Sequence, residues 1–241
     1  MKFPSRKHYG LAAGLVVLVA LAYVAARIFV FSQLQRKVVA RLDQFRREGG
    51  TARYKTFETD PWHSRAVMTG LEIAVHKMDS GSVHITAPRI EIDGIDLLSL
   101  FRQELKVKRI RLYRPVLQVP ENFKRKQHGA TPSARVPGLT TGILQVDSGK
   151  VEVLDSASHQ VSISARLNLR AHHLKRGLSK EGIPEWSVRE ILISGMNAAF
   201  LQKFYHVSVK DVKYSQPGEL IVDSVKITPM FDRKEFARRA A

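Results

Sequence analysis

The chain of 241 residues has no cysteine, which removes disulfides, thiolate metal sites and a cysteine nucleophile. It is short of acid: 22 Asp and Glu stand against 39 Lys and Arg, for a net charge of +17. Aromatics make up 8%, with two tryptophans. Sequence motifs of chemistry are missing as well, since there is no G-x-S-x-G elbow, S-x-x-K, Walker loop, H-E-x-x-H or dinucleotide fingerprint. Of nine histidines only His172 and His173 are adjacent. On a strand they would point to opposite faces and could not share a metal, so they read as surface residues at a strand end. Asp93 and Asp96 flank Gly94 and read as caps of a short helix. Glu58 and Asp60, before Pro61-Trp62, read as a turn entry. No residue is assigned to bond chemistry; no cofactor or metal is expected, and the chain reads as a non-enzyme.

What remains is an ordinary globular composition, 44% hydrophobic and 25% charged, enough for one large domain or two small ones. Residues 9–26 carry no charge and are rich in leucine, valine and alanine; after Arg27 the apolar run resumes to Phe31. A bilayer core needs roughly 20 apolar residues. Residues 9–31 therefore read as a transmembrane anchor behind a tail of residues 1–8, with Arg27 snorkelling to the headgroups. A cleaved signal peptide competes, because Ala20-Leu21-Ala22 fits a small-x-small site; the run continues past that site, which favours an uncleaved anchor. The flanking charges do not set the orientation. A cytoplasmic N-terminus is preferred because long following domains translocate largely regardless of charge. Residues 32–50 place Leu34, Val38, Val39, Leu42 and Phe45 at helical spacing, and Gly49-Gly50 stops the pattern. The reading is an amphipathic juxtamembrane helix whose stripe packs on the domain that follows.

From Ala66 the apolar period becomes two. Val83 and Ile85, Ile90 and Ile92, Leu105 and Val107, and Ile110 and Leu112 alternate with polar residues, and Val161 to Ala171 is the longest such run. Asp147-Ser148-Gly149-Lys150 and Pro217-Gly218 read as turns. Residues 120–138 are aperiodic and basic, and read as a flexible loop between unit 51–119 and unit 139–241.

The two units look like copies. Leu105-x-Val107-x-x-Ile110-x-Leu112-x-x-Pro115 lines up with Val207-x-Val209-x-x-Val212-x-Tyr214-x-x-Pro217, and Leu220, Val222, Val225, Ile227 and Pro229 echo it a third time. Upstream, Ile90-x-Ile92-x-Gly94 matches Ile191-x-Ile193-x-Gly195. In each copy a short apolar segment, residues 97–102 and 198–203, reads as a helix between strands. The two-residue break predicts a bulge or strong twist that changes which face is apolar. The expected fold is mainly β: an N-terminal transmembrane helix, then an extended, twisted, groove-like antiparallel sheet of strand–short helix–strand units.

The first fifty residues carry nine bases against two acids, and the rest of the chain is basic too. Lys106, Lys108, Arg109, Arg111 and Arg114 would form a stripe opposite Leu105 and Val107, with Lys124-Arg125-Lys126 as a second cluster. Anionic headgroups would attract such a stripe at about 1 kcal/mol per base; a solvated outer face is the plain alternative. Nucleic acid is disfavoured, because only Tyr113 is interleaved with the bases and stacking surfaces need more.

The N-terminal anchor, the stretch 90–115 with its closing proline and the expected hairpin Leu144-Gln-Val146-Asp-Ser-Gly-Lys-Val151-Glu-Val153-Leu-Asp155 resemble the N-terminal part of AsmA-like proteins. These are bacterial β-groove proteins related to chorein-type lipid transporters. Residues 225–238 are similar to versions in Bacteroidetes-type members. Members usually run much longer. The resemblance implies a single-pass protein of the bacterial inner membrane with a periplasmic C-terminal β-groove that binds or transfers envelope lipid. The implied acyl-chain lining is Ile90, Ile92, Leu105, Val107, Val161, Ile163, Leu167, Leu169, Val207 and Val209, with the five bases at the headgroups. About ten strands at roughly 4.8 Å would reach some 50 Å, so envelope partners or self-association are expected. The alternative is a scaffolding protein whose sheet closes as a sandwich and binds an envelope protein by edge pairing.

Overall fold

The computed structural model describes residues 6–47, 49–77, 81–96, 99, 104–122, 138–155, 160–178, 184–200, 204–231 and 238. Of these, the side chains of 6–19, 22, 76, 77, 81, 178, 184 and 200 lie outside the description. One helix, α1 (Arg6–Arg47), precedes strands β1 (Gly50–Arg53), β2 (Thr56–Asp60), β3 (Arg65–Lys77), β4 (Gly81–Asp93), β5 (Glu104–Tyr113) and β6 (Val116–Pro120). Then come β7 (Gly138–Leu154), β8 (Val161–Leu178), β9 (Pro184–Ser187), β10 (Glu190–Phe200), β11 (Tyr205–Ser215) and β12 (Glu219–Pro229). All twelve strands join one sheet in the order β1-β3-β4-β5-β7-β8-β10-β11-β12, with β2 beside β3, β6 between β4 and β7, and β9 beside β8. The three short strands continue β1, β5 and β10 across breaks, so the sheet has nine strand positions and is roughly 40 Å wide at 4.7–4.9 Å spacing.

The sheet is mixed, not antiparallel throughout: β5 and β6 run parallel to β7. A parallel neighbour needs a crossover of about a dozen residues or more, and the stretch from Pro120 to Gly138 supplies it. Residues 123–137 of the expected loop, with Lys124-Arg125-Lys126, lie outside the described residues. The two expected units therefore lie in one continuous sheet, with β7 as the seam between them.

The repeat is visible in the hydrogen-bond register. Ile90 pairs with Leu112 and Ile92 with Ile110; in the second copy Ile191 pairs with Tyr214 and Ile193 with Val212. Gly94 and Gly195 take equivalent places with φ of 66° and 59°, a left-handed conformation that costs a residue with a Cβ about 1 kcal/mol or more. Positive φ recurs within strands at Gly70, Ser148, His173 and Ser224. These kinks sit at the two-residue breaks of the apolar pattern. The extra residue does not move the apolar set to the other face, as the sequence reading expected. In β5, Leu105, Val107 and Ile110 lie on both sides of the break and pack in one cluster, so the face is restored there, beside the positive-φ Gly94 whose carbonyl accepts from Lys108 N–H (3.2 Å). The apolar alternation of β8 runs from Val161 to Ala171 without a break; two register shifts put the extra residue on its neighbours, at Val146/Gly149 and at Ser194/Asn197, and a third, at Val153/Leu154, puts it on β8 near Ser162.

Two local expectations change. Asp147-Ser148-Gly149-Lys150 is a kink inside β7, not a turn. Arg114 N–H donates to the Asp147 carbonyl (2.7 Å), Lys150 N–H to Pro115 (2.8 Å) and Ser148 N–H to Asn168 Oδ1 (2.8 Å), so both neighbours hold the strand on course. Ala198 is a β10 residue paired with Val207 and Ala165, not the start of a helix. The other expected short helix, 97–102, is described only at Ser99, whose hydroxyl donates to the Asp96 carbonyl (2.7 Å) and accepts from Lys106 N–H (3.1 Å). Pro217-Gly218 does turn the chain between β11 and β12, and Gly49, at φ 88°, ends α1 with its N–H on the Arg46 carbonyl.

The best-buried core lies under α1. Phe31 (1% exposed) and Leu34 meet Ala66, Ile95 and Val107, with Val38, Phe57, Ile92, Leu105 and Ile110 around them. The helical stripe thus serves the chain's own core. The Arg27 guanidinium donates to Ser64 Oγ (2.6 Å) and Arg46 Nε to the Ala52 carbonyl (2.6 Å), so the C-terminal half of α1 runs antiparallel to β1 and β2, pinned at mid-helix and at the C-terminal end. This corrects the anchor boundary. Arg27 is clamped to the β2–β3 turn, and Val30 and Phe31 belong to the folded core. Among the described residues no helix is long and apolar enough to cross a membrane; residues 6–19 enter as helix backbone alone.

Candidate functional site

Directly paired residues share a face of a sheet, and here they sort by polarity. Phe57, Met68, Ile90, Leu112, Val146, Leu169, Ile193, Val212 and Val222 form one row of cross-strand pairs, one residue per strand position. Beyond the kinks a second row runs from Ile73 through Ile85, Leu117, Val151, Ala165, Ala198 and Val207 to Ile227. Most of these side chains are only half-buried, and Val222 and Ile227 are exposed. A second sheet packed on them would bury them fully, so the expected sandwich alternative is not what is observed. The strands form one sheet whose terminal members are β1 and β12.

The ten expected lining residues do not share one environment. Ile92, Leu105 and Val107 (6% exposed) lie in the core under α1, closed off by Phe31 and Leu34. Ile90 and Leu169 belong to the first apolar row and Val207 to the second. Ile163 faces Val153, Leu167 faces Gly149, and Val161, paired with Leu154, is exposed at the end of β8. Val209 is buried between Met196 and Val225.

The opposite face is charged and internally matched. Glu91 is buried between Arg65 (2.8 Å) and Arg89 (2.6 Å) and accepts from the Tyr113 hydroxyl (3.1 Å). Arg109 pairs with Asp93 at 2.9 Å, Arg111 with Asp147 at 2.5 Å and Lys106 with Glu104 at 3.3 Å. Three of the five expected headgroup bases are therefore matched by carboxylates, and Asp93 is an ion-pair partner, not a helix cap. Lys108 and Arg114 lie exposed, Arg114 at a positive φ of 45°. Burial pushes the Glu91 carboxyl up, but Tyr113 and the two arginines outweigh it, and Glu91 titrates below its ordinary range. Asp147 behaves alike: burial raises it, and the Gln145 amide and Arg111 more than compensate. Glu152 is held low by the Gln118 amide (2.8 Å) and by Lys150. The burial of Tyr113 and its bond to Glu91 keep that phenol protonated to higher pH.

The network was missed in the sequence, although its signal is there: acids at 91 and 93 on one strand face bases at 109 and 111 on the next. Asp60 behaves as expected, accepting from the N–H groups of Trp62 and His63 at 2.9 and 3.1 Å. His172 and His173 lie at a kink, with His173 at φ 53°, so simple alternation does not govern them. Among the described residues no three His, Asp or Glu side chains converge to hold a metal. Comparison with known proteins finds no family model and no curated protein that matches the chain.

Proposed function

We propose that the protein binds or transfers lipid, holding acyl chains on the apolar face of the sheet while its charged face stays in water. The observation that carries this reading is the row of apolar pairs that crosses all nine strand positions and, beyond the end that α1 covers, stays half-exposed or exposed. An apolar sheet face must be covered by something, and among the described residues α1 covers one end alone. The second row beyond the kinks extends the same chemistry along the strands. Membrane anchorage by residues 9–26, a periplasmic location and a role in envelope lipid balance belong to the same reading. They rest on the uncharged run and on the AsmA-like resemblance. The groove shape is part of the proposal.

Adjacent residues of one strand face opposite ways, which supplies an internal control. A photo-crosslinking residue at Leu169 in the full chain is expected to label phospholipid in cells, and the same residue at Arg170 is not. Equal labelling from both positions, or none from Leu169, would sink the proposal. A fragment starting at residue 50 is unsuitable for such work, because it discards Phe31, Leu34 and Val38.

A further inference from the structure

We infer that the β2–β3 turn, with Trp62 at its tip, is a membrane seat that lodges in the headgroup layer of the bilayer and holds the strand ends against it. The inference rests on the anchor reading above and adds a contact surface and an orientation to it. α1 runs antiparallel to β1 and β2, and the Arg27 clamp places its N-terminal part beyond this turn. From Tyr9 to the clamp the helix is about 27 Å long at 1.5 Å per residue, close to the hydrocarbon thickness of a bilayer.

The clamp therefore marks the level at which a spanning helix would meet the headgroups, and the side chains at that level have the matching chemistry. Trp62 is 61% exposed, and Tyr23, Ile28 and Phe29, within about one helical turn of Arg27 along α1, are exposed as well. The Arg27 guanidinium stacks 5.5 Å over the Tyr23 ring and reaches Ser64. Tryptophan and tyrosine beside an arginine are the residues that settle at membrane interfaces. Exposure of this kind is costly in water, and the sheet covers none of these three helix side chains, whereas Phe31 of the same helix fills the core. Lys108 is exposed at the same end of the strands, through the contacts of Ser64 with Ile95 and of Gly94 with Lys108, and complements anionic headgroups; Lys106 beside it is matched by Glu104.

Trp186 is the natural control. It lies on β9, five strand positions from β3, and sheet twist of roughly 20–25° per position turns that strand end about a right angle away. The test uses two single-tryptophan full chains, Trp186→Phe and Trp62→Phe, in vesicles of phosphatidylcholine and phosphatidylglycerol brominated at stepped acyl depths. Trp62 is expected to be quenched at least about twofold by the shallowest bromines, and Trp186 to stay unquenched. If the chain resists an alkaline wash and Trp62 is quenched no more than Trp186, the seat is wrong and the anchor stands. If the chain washes off the vesicles, the anchor reading fails and the seat with it.

Discussion

Glu91 has no room for an uncompensated charge, and two arginines and a tyrosine supply the compensation. Glu91, Asp147 and Glu152 all titrate below the ordinary carboxylate range in the folded protein. Their stabilising contribution is present in full above the unfolded carboxylate values near 4 and is lost as pH falls through the lowered folded values. Unfolding in urea should thus give constant stability from about pH 7 to 5 and a decline beginning near pH 4. Glu91→Gln is expected to cost about 1–3 kcal/mol at neutral pH and to flatten that decline, measured by the same titrations. Phe31 works through packing alone. Phe31→Ala should cost about 3–5 kcal/mol, read by thermal or urea melts of the full chain. Arg27 could be placed in the sequence as a charge at the end of an apolar run. Its actual partner, Ser64, is 37 residues away, and no local pattern announces that.

At the scale of elements, the kinks decide how the sheet is assembled. The two-residue breaks were legible in the sequence, and so was the repeat; the strand pairs Ile90–Leu112 and Ile191–Tyr214 agree with it. The consequence of the break was misread, because alternation alone says that an extra residue inverts a strand. A residue at positive φ, as at Gly70, Gly195 or Ser224, breaks the alternation itself and so returns the apolar residues of that strand to their face. Gly142 lies where β7 crosses closest to β5: a Cβ there would meet the Lys108 carbonyl oxygen at 2.8 Å. Gly195 needs its left-handed φ but has open space, the nearest atom to a Cβ being 3.9 Å away. Gly142→Ala should therefore cost about 1–3 kcal/mol through backbone displacement, and Gly195→Ala about 1 kcal/mol through φ strain. Equal losses in parallel melts would contradict this account of the kinks.

The whole molecule is one sheet with unlike edges. α1 covers the first, where Arg46 takes the Ala52 carbonyl and Ala52 is almost fully buried. The last strand, β12, is exposed along all eleven residues. Burial across one row of pairs therefore falls toward β12, and the cost of truncation should fall with it. Val209→Ala removes two buried methyl equivalents and should cost about 1.5 kcal/mol. Val222→Ala, although drawn from the same apolar pattern, should stay within about 0.5 kcal/mol. Comparable losses at both positions in urea melts would mean that β12 is covered in solution.

By itself the sequence determined what is local and periodic: a helix that stops at Gly49, strands of period two, the Pro217-Gly218 turn, the Asp60 turn entry, and two copies of one strand pattern. These depend on side chains a few residues apart, and their physics is complete within that window. Which strands are neighbours depended on the tertiary structure, because the crossover from β6 to β7 makes β5 and β7 parallel partners and turns two expected units into one sheet. So did the fate of the charges, since Arg109 and Arg111 look like a free basic stripe until β4 and β7 bring Asp93 and Asp147 against them. The same holds for the apolar lining: Ile92, Leu105 and Val107 carry the same pattern as Leu169. Only the docking of α1 separates a sealed core from a face left half open, because burial is a property of what packs against a residue and not of the residue.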